Sequence, residues 1–179
     1  MRWMCASLLA LASASAASGQ ILWAGLASGT SWTWQAPTAP DQNFLRGSGG
    51  TPTAFLGFPL GDDTLVRLQV ADLPYEPVFD GVGWPGRLRA YTVGVDYFFS
   101  GVFGKALVSA GLGAYSLKLQ AQQPPAGIEE TEFGWNFGVG EWFQLSRRWR
   151  LTAEVRMHRT QNNGNPTIVT ATAGLAFAF

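Results

Sequence analysis

Hydrophobic positions along this chain recur every second residue. The segment "WRLTAEVRMHR" shows the beat most clearly: Trp149, Leu151, Ala153, Val155 and Met157 alternate with Arg150, Thr152, Glu154, Arg156 and His158. A period of two is that of a β-strand with unlike faces. Tyr91, Val93, Val95, Tyr97 and Phe99 alternate in the same way with Ala90, Thr92, Gly94 and Asp96. So do Val169, Ala171, Ala173, Leu175, Phe177 and Phe179 with Thr170, Thr172, Gly174, Ala176 and Ala178. Eight strands are predicted, over residues 22–34, 53–60, 65–71, 89–99, 106–118, 133–145, 149–159 and 168–179. Most reach the roughly 9–11 residues that a tilted strand needs to cross a bilayer. The second and third are shorter.

The links alternate as strictly as the side chains. "GDDT", "SGVFG" and "SRR" are short turns, whereas "QAPTAPDQNFLRGSGG", "DLPYEPVFDGVGWPGR", "LQAQQPPAGIEET" and "TQNNGNPT" are long. Nine of the ten prolines fall in or beside the long links, and only Pro59 lies inside a predicted strand. Proline cannot donate to a sheet ladder, so this distribution leaves the ladders intact. In an up-and-down barrel, successive links lie at opposite ends. Long loops at one end and tight turns at the other are the pattern of an outer-membrane barrel.

The less apolar face of each strand is small, with an occasional charge. A water-exposed face would carry more Lys and Glu, whereas the lumen of eight strands needs small residues and a few paired charges. The apolar faces therefore point to lipid. Arg67, Asp96, Arg150, Glu154, Arg156 and His158 fall inside, as a luminal charge network. With the long links outside, Tyr97, Phe99, Phe143, Trp149, Phe177 and Phe179 gather at the periplasmic interface. Trp32, Trp34, Tyr91, Phe133 and Trp135 gather at the outer one. Two aromatic girdles follow from turn length alone. A chain ending on Phe179 fits the inner girdle, where the last strand closes against the first and satisfies every backbone group. Two features strain the pattern. Simple alternation puts Glu141 toward lipid, and a bulge in "GVGEWF" would turn it inward. The fifth strand is expected to change parity near Tyr115, because Leu117 and Leu119 otherwise face the lumen.

Composition agrees with a membrane barrel. Charged residues make up 13% of the 179, with 12 basic and 12 acidic, about half the roughly 25% of soluble domains. A zero net charge gives nucleic acid no basic surface to bind. The opening "MRWMCASLLALASASAASGQ" has a basic start, a short apolar core and a small-residue tract, the pattern of a secretory signal peptide. The expected organisation is a signal peptide over 1–19 and a barrel over 20–179. Cys5, the sole cysteine, would leave with the signal, so no thiol, metal or cofactor is expected.

The run "GVGEWFQLSRRWRLTAEVRMHR", with its short loop and Phe-terminated strand, resembles the small outer-membrane β-barrel family, relatives of the OmpA-type transmembrane domain. The likeness is strongest over residues 133–179. It implies residence in the bacterial outer membrane, contact with its lipid and lipopolysaccharide, and insertion by the barrel-assembly machinery. Leu175, Phe177 and Phe179 would be the assembly signal. Members of the family serve as envelope structural proteins, adhesins or resistance factors, so a structural or interaction role is expected, through the long loops and an unidentified partner; eight strands leave little room for an open pore. The periplasmic domain of larger members is expected to be absent.

Two rivals remain open. "HRTQNNGNP" resembles the His-x-Ser-Asn segment of outer-membrane lipid A deacylases, with His158 as base, Thr160 where Ser is expected and Glu154 to orient the His. Gln161 replaces the Asn, and alternation puts His158 in the lumen. The other rival is a soluble secreted barrel around a small apolar ligand, which requires Val155 and Phe177 inside. "GVGWPG" matches Gly-x-Gly-x-x-Gly by letter, but contains a proline and precedes no helix, so it is loop glycine.

Overall fold

The computed structural model describes residues 22–34, 45–79, 82–120, 130–161 and 165–179. The proposed signal peptide and the tips of the long links lie outside them. The strands are β1 (Trp23–Trp34), β2 (Leu45–Gly50), β3 (Thr53–Pro59), β4 (Thr64–Tyr75), β5 (Val78–Phe79), β6 (Val82–Gly83), β7 (Gly86–Ser100), β8 (Lys105–Leu119), β9 (Thr131–Gln144), β10 (Trp149–Thr160) and β11 (Thr167–Ala178). All but β5 and β6 form one antiparallel sheet, and β11 pairs back onto β1 to close it. Closure leaves no long edge unpaired, as lipid requires.

β2 and β3 lie end to end along β1. Thr30 faces Gly50 and Ala27 faces Thr53 in one continuous register, so the two are halves of a single wall strand. The wall is thus an eight-stranded up-and-down barrel, and β5–β6 is a small hairpin in the link before β7. The first long link is therefore shorter than the sequence suggests, because residues 45–50 are strand. β4 likewise runs on to Tyr75, past the predicted end at residue 71.

Two prolines explain why these extensions escaped the pattern. The Asp72 N–H donates to the Pro52 carbonyl at 3.0 Å. One register step outward, Pro74 has no N–H to donate toward β2. The ladder between β2 and β4 lapses there, while β4 stays paired with β7 through Tyr75. A proline at a free edge costs the sheet nothing. Arg87 laces the seam from β7: its Nε lies 2.8 Å from Asp72 Oδ1, and its Nη2 donates to the carbonyls of Gly50 (3.3 Å) and Asp72 (3.4 Å).

The outward face carries an apolar band around the wall. Val155 is 48% exposed and Leu26 70%. Phe177 also lies outward, its ring centroid 4.8 Å from that of Trp149 and tilted at 57° to it. The soluble rival needed Val155 and Phe177 inside, so its faces are inverted relative to the molecule. β7 and β8 have 15 residues each, more than the roughly 9–11 a bilayer crossing needs. This hairpin therefore projects beyond the apolar band.

On the fifth wall strand the expected change of parity is absent, and on the sixth Glu141 follows simple alternation without the bulge that would have turned it inward. β8 keeps one parity from Leu107 to Leu117, both 1% exposed and inward, with Tyr115 at 0% between them. There is no switch at Tyr115, because the outer end of the lumen is itself apolar and takes Leu117 and Leu119. β9 has no bulge either. Glu141 pairs with Ala106 and Ala153 in unbroken registers and stays on the outward face. There its Oε1 accepts the Phe103 N–H at 2.7 Å, so its charge meets a donor from the neighbouring turn.

Candidate functional site

Inside the barrel, side chains stack in three layers. Nearest the periplasm, Phe55, Leu65, Phe98, Leu107, Trp142 and Ala176 form an apolar plug, with Trp23 against it. Trp142 is its hub, with ring centroids 5.4 Å from Trp23, 5.8 Å from Phe55 and 5.1 Å from Phe98. At the outer end, Leu73, Tyr75, Leu88, Tyr115, Leu117 and Ile168 form a second plug with Ala71 and Ala90.

Between them lies the charged layer. Arg67 donates from Nε to Asp96 Oδ2 at 2.7 Å. Its two Nη atoms grip Glu154 at 2.7 and 2.8 Å, a bidentate fork. Arg156 reaches Glu154 Oε2 at 3.0 Å and Asn136 Oδ1 at 2.6 Å, and stands 4.0 Å from Asp96. The Trp142 Nε1–H adds a further donor to Glu154 at 3.2 Å. Two guanidinium groups thus meet two carboxylates, and the layer is formally neutral. The Arg67 guanidinium also sits 4.4 Å over the Phe55 ring. All four charged side chains are under a tenth exposed.

Local sequence explains this arrangement. Glu154 and Arg156 are two residues apart on one strand and so share a face. The facing β9 residues are Gly140 and Gly138. A Cβ on Gly140 would lie 2.8 Å from Glu154 Cγ, and one on Gly138 would lie 2.7 Å from Ser109 Oγ. The glycines leave the room that the long side chains occupy.

Of the six residues expected in the charge network, Arg67, Asp96, Glu154 and Arg156 are joined. Arg150 lies apart: its Nη1 donates to the Ser146 carbonyl at 2.7 Å, and its guanidinium stands 5.3 Å from the Trp23 ring, toward the periplasmic mouth. His158 also lies apart, with Nδ1 3.1 Å from the Tyr115 hydroxyl in the outer plug. Thr160 faces inward, 1% exposed. In the deacylase constellation a carboxylate would orient the His; here Glu154 is engaged by Arg67, Arg156 and Trp142. Among the described residues, no group of three His, Cys, Asp or Glu side chains is placed to hold a metal.

Tyr91, Tyr97, Phe99, Phe133, Trp135 and Trp149 are 41–54% exposed on the outward face, and Phe179 65%. Trp32 joins them at 36%. Phe143 and Phe177 are outward and half-buried, and Phe177 packs edge-on to Phe179 at 5.0 Å. The side chain of Trp34 lies outside the described ones. Leu175, of the expected assembly signal, is outward and 46% exposed.

Sequence reasoning missed outward cations toward the outer end of the wall. Arg87 and Arg89 share the outward face of β7, and Lys118 pairs directly with Arg87 from β8. Arg159 lies outward on β10, donating to Thr167 Oγ1 at 2.8 Å. The Arg-x-Arg spacing signals a shared face. Lys118 joins only through the register of a hairpin whose residues are 31 apart.

A closed eight-stranded wall, an outward apolar band with aromatic rims, and a polar layer sealed inside define the class: a small outer-membrane β-barrel. Solved structures of that class match over nearly the whole chain. The Neisserial surface protein A is 12% identical with a TM-score of 0.69, covering 88% of this chain and 97% of that one. Ail, the attachment invasion locus protein of Yersinia pestis, solved with the heparin analogue sucrose octasulfate, is 13% identical with a TM-score of 0.55, covering 89% and 99%. The N-terminal β-barrel domain of Pseudomonas aeruginosa OprF is 15% identical with a TM-score of 0.52, covering 87% and 97%. The likeness is one of fold. No family model matches the chain, and no curated protein matches it.

Proposed function

We propose that this protein is a non-conducting outer-membrane barrel that acts through its outer rim and long loops, as an envelope interaction or adhesion protein. The packed lumen carries this reading. A path through the barrel would have to breach the outer plug, the Arg67–Asp96–Glu154–Arg156 layer and the Trp142 plug in turn. Eight strands leave an interior that side chains fill. What remains for work is the exterior.

The outward cations Arg87, Arg89 and Lys118 stand beyond Tyr91 toward the outer end, and Arg159 is level with Trp135, where phosphate groups of lipopolysaccharide would lie. Asp72 ion-pairs with Arg87 and faces Arg89 in register, and one carboxylate against these four cations leaves an excess of positive charge for an anionic partner. Ail, of similar fold, is seen with a sulfated sugar, and a sulfated or phosphorylated glycan is the partner class favoured for this rim. Insertion by the barrel-assembly machinery, with Leu175, Phe177 and Phe179 as signal, completes the reading. Two measurements test it. Single-protein planar bilayers should show no steady conductance, and a stable open channel would refute the sealed lumen. Purified protein in vesicles should bind heparin or lipopolysaccharide in a salt-dependent way, weakened by Arg89→Ala with Lys118→Ala. Binding indifferent to both salt and those substitutions would refute the role of the rim.

A further inference from the structure

The two most exposed large apolar side chains among the described residues are neighbours. Val102 is 84% exposed and Phe103 80%, at the tip of the turn between β7 and β8. The other two tight turns each place one exposed leucine beside polar residues, Leu60 before "GDD" and Leu145 before "SRR", whereas this tip carries two adjacent apolar side chains and no charge. The turn is also held in place. Gly101 N–H donates to the Gly104 carbonyl at 2.9 Å, which closes the loop. Phe103 N–H donates to Glu141 Oε1 at 2.7 Å.

That second bond sets the direction of the turn. Glu141 lies on the outward face of β9, so a turn tied to it leans over the outward side of the wall and away from the lumen. The outward residues at that end of the wall are Phe99, which pairs with Ala106 beside Glu141, and Phe143, two residues beyond Glu141 on β9. These belong to the inner aromatic girdle. The apolar tip is tied to the outward face at Glu141 and follows Phe99 by three residues, so it stands at the margin of the lipid-facing band, and that position argues for lipid as its occupant.

We propose that residues 100–104 form a membrane wedge. Val102 and Phe103 insert among the lipids of the periplasmic leaflet, and Glu141 is the clasp that aims them. The clasp also accounts for a carboxylate on the lipid-facing side, where an unpartnered charge is disfavoured. The backbone donor reduces that penalty, and an interfacial depth reduces it further. Burying a Val and a Phe side chain in lipid favours the inserted state by the usual transfer of apolar surface. The wedge would fix the depth of the projecting β7–β8 hairpin and so the height of its outer end.

The test uses the full chain in a Cys5→Ser background, reconstituted into phosphatidylethanolamine–phosphatidylglycerol vesicles, with a nitroxide on Val102→Cys. A matched label on Asp62→Cys, in the polar turn, is the aqueous control, and a boiling-dependent gel shift verifies folding of each variant. The expected result is oxygen accessibility at 102 several-fold above that at 62, with accessibility to a water-soluble nickel chelate correspondingly lower. Phe103→Ser in the same chain, or Glu141→Ala, should move the label back toward the aqueous values. A label at 102 with the accessibility of 62 overturns the proposal. So does one shielded from both reagents, the sign of a protein occupant, or one broadened by spin–spin coupling, the sign of a second copy. Outer-loop binding and conductance are separate readouts, so either proposal can fail alone.

Discussion

Removing Glu154 should be the most damaging single change in the lumen. Its carboxylate accepts from both Nη atoms of Arg67 at 2.7 and 2.8 Å, from Arg156 at 3.0 Å and from Trp142 at 3.2 Å. Charge-assisted bonds are each worth roughly 1.5–3 kcal/mol net, so the three from arginine bound the loss at roughly 5–9 kcal/mol if they simply added. They do not add, because Asp96 stays 2.7 Å from Arg67 and shares the remaining charge. Deleting one member of a buried pair costs about 3–5 kcal/mol, and that is the range expected for Glu154→Ala. The damage comes from leaving two cations with one carboxylate. Removing a charge of each sign should therefore be milder. In Glu154→Met with Arg156→Met, the Arg67–Asp96 pair remains balanced, and the double variant should be more stable than Glu154→Met alone. Urea unfolding in lipid vesicles, followed by tryptophan fluorescence and by the gel shift on boiling, measures both. A Glu154→Ala barrel within about 1 kcal/mol of the parent would refute the reasoning. A double variant no better than the single would refute it as well.

Other consequences are as direct. Arg87→Ala should unlace the outer seam, accelerating amide exchange at Asp72 and its neighbours while costing at most about 1 kcal/mol overall, because the pair is partly exposed. Gly140→Val should destabilise by about 1–3 kcal/mol through overpacking, since its Cβ would stand 2.8 Å from Glu154 Cγ; the urea midpoint reports it. Gly49, at φ +98° with open space around it, should tolerate no β-branched residue despite that space; Gly49→Val should lower the folded yield where Gly50→Ser does not.

The architecture was legible because a lipid-spanning wall leaves the chain little choice. Alternation must hold on every strand, and link lengths must alternate with the side of the membrane. Tyr91 to Phe99 and Trp149 to Met157 therefore declared their faces without any neighbour. Where the reading failed, the cause lay in contacts that sequence spacing cannot express. Leu117 and Leu119 looked misplaced because the lumen was taken as small and charged throughout, whereas its outer end is filled by Tyr75, Leu88 and Ile168 from other strands. Glu141 looked misplaced because its partner is a backbone N–H in a turn 38 residues away. Pro74 masked the end of β4 because a proline in a strand argues against the strand, unless its edge is free. The members of the charged layer were visible as inward charges. Trp142 and Asn136 as their partners were not, since pairing across β9 and β10 depends on register.

The central claim is a closed barrel in the outer membrane with its apolar face to lipid. Expressing the full chain, fractionating the cells and running unboiled and boiled samples on a detergent gel tests it most directly. The account predicts a band in the outer-membrane fraction whose mobility shifts on boiling, because a sealed ladder resists detergent until heated. A soluble periplasmic or secreted protein with no such shift would contradict it.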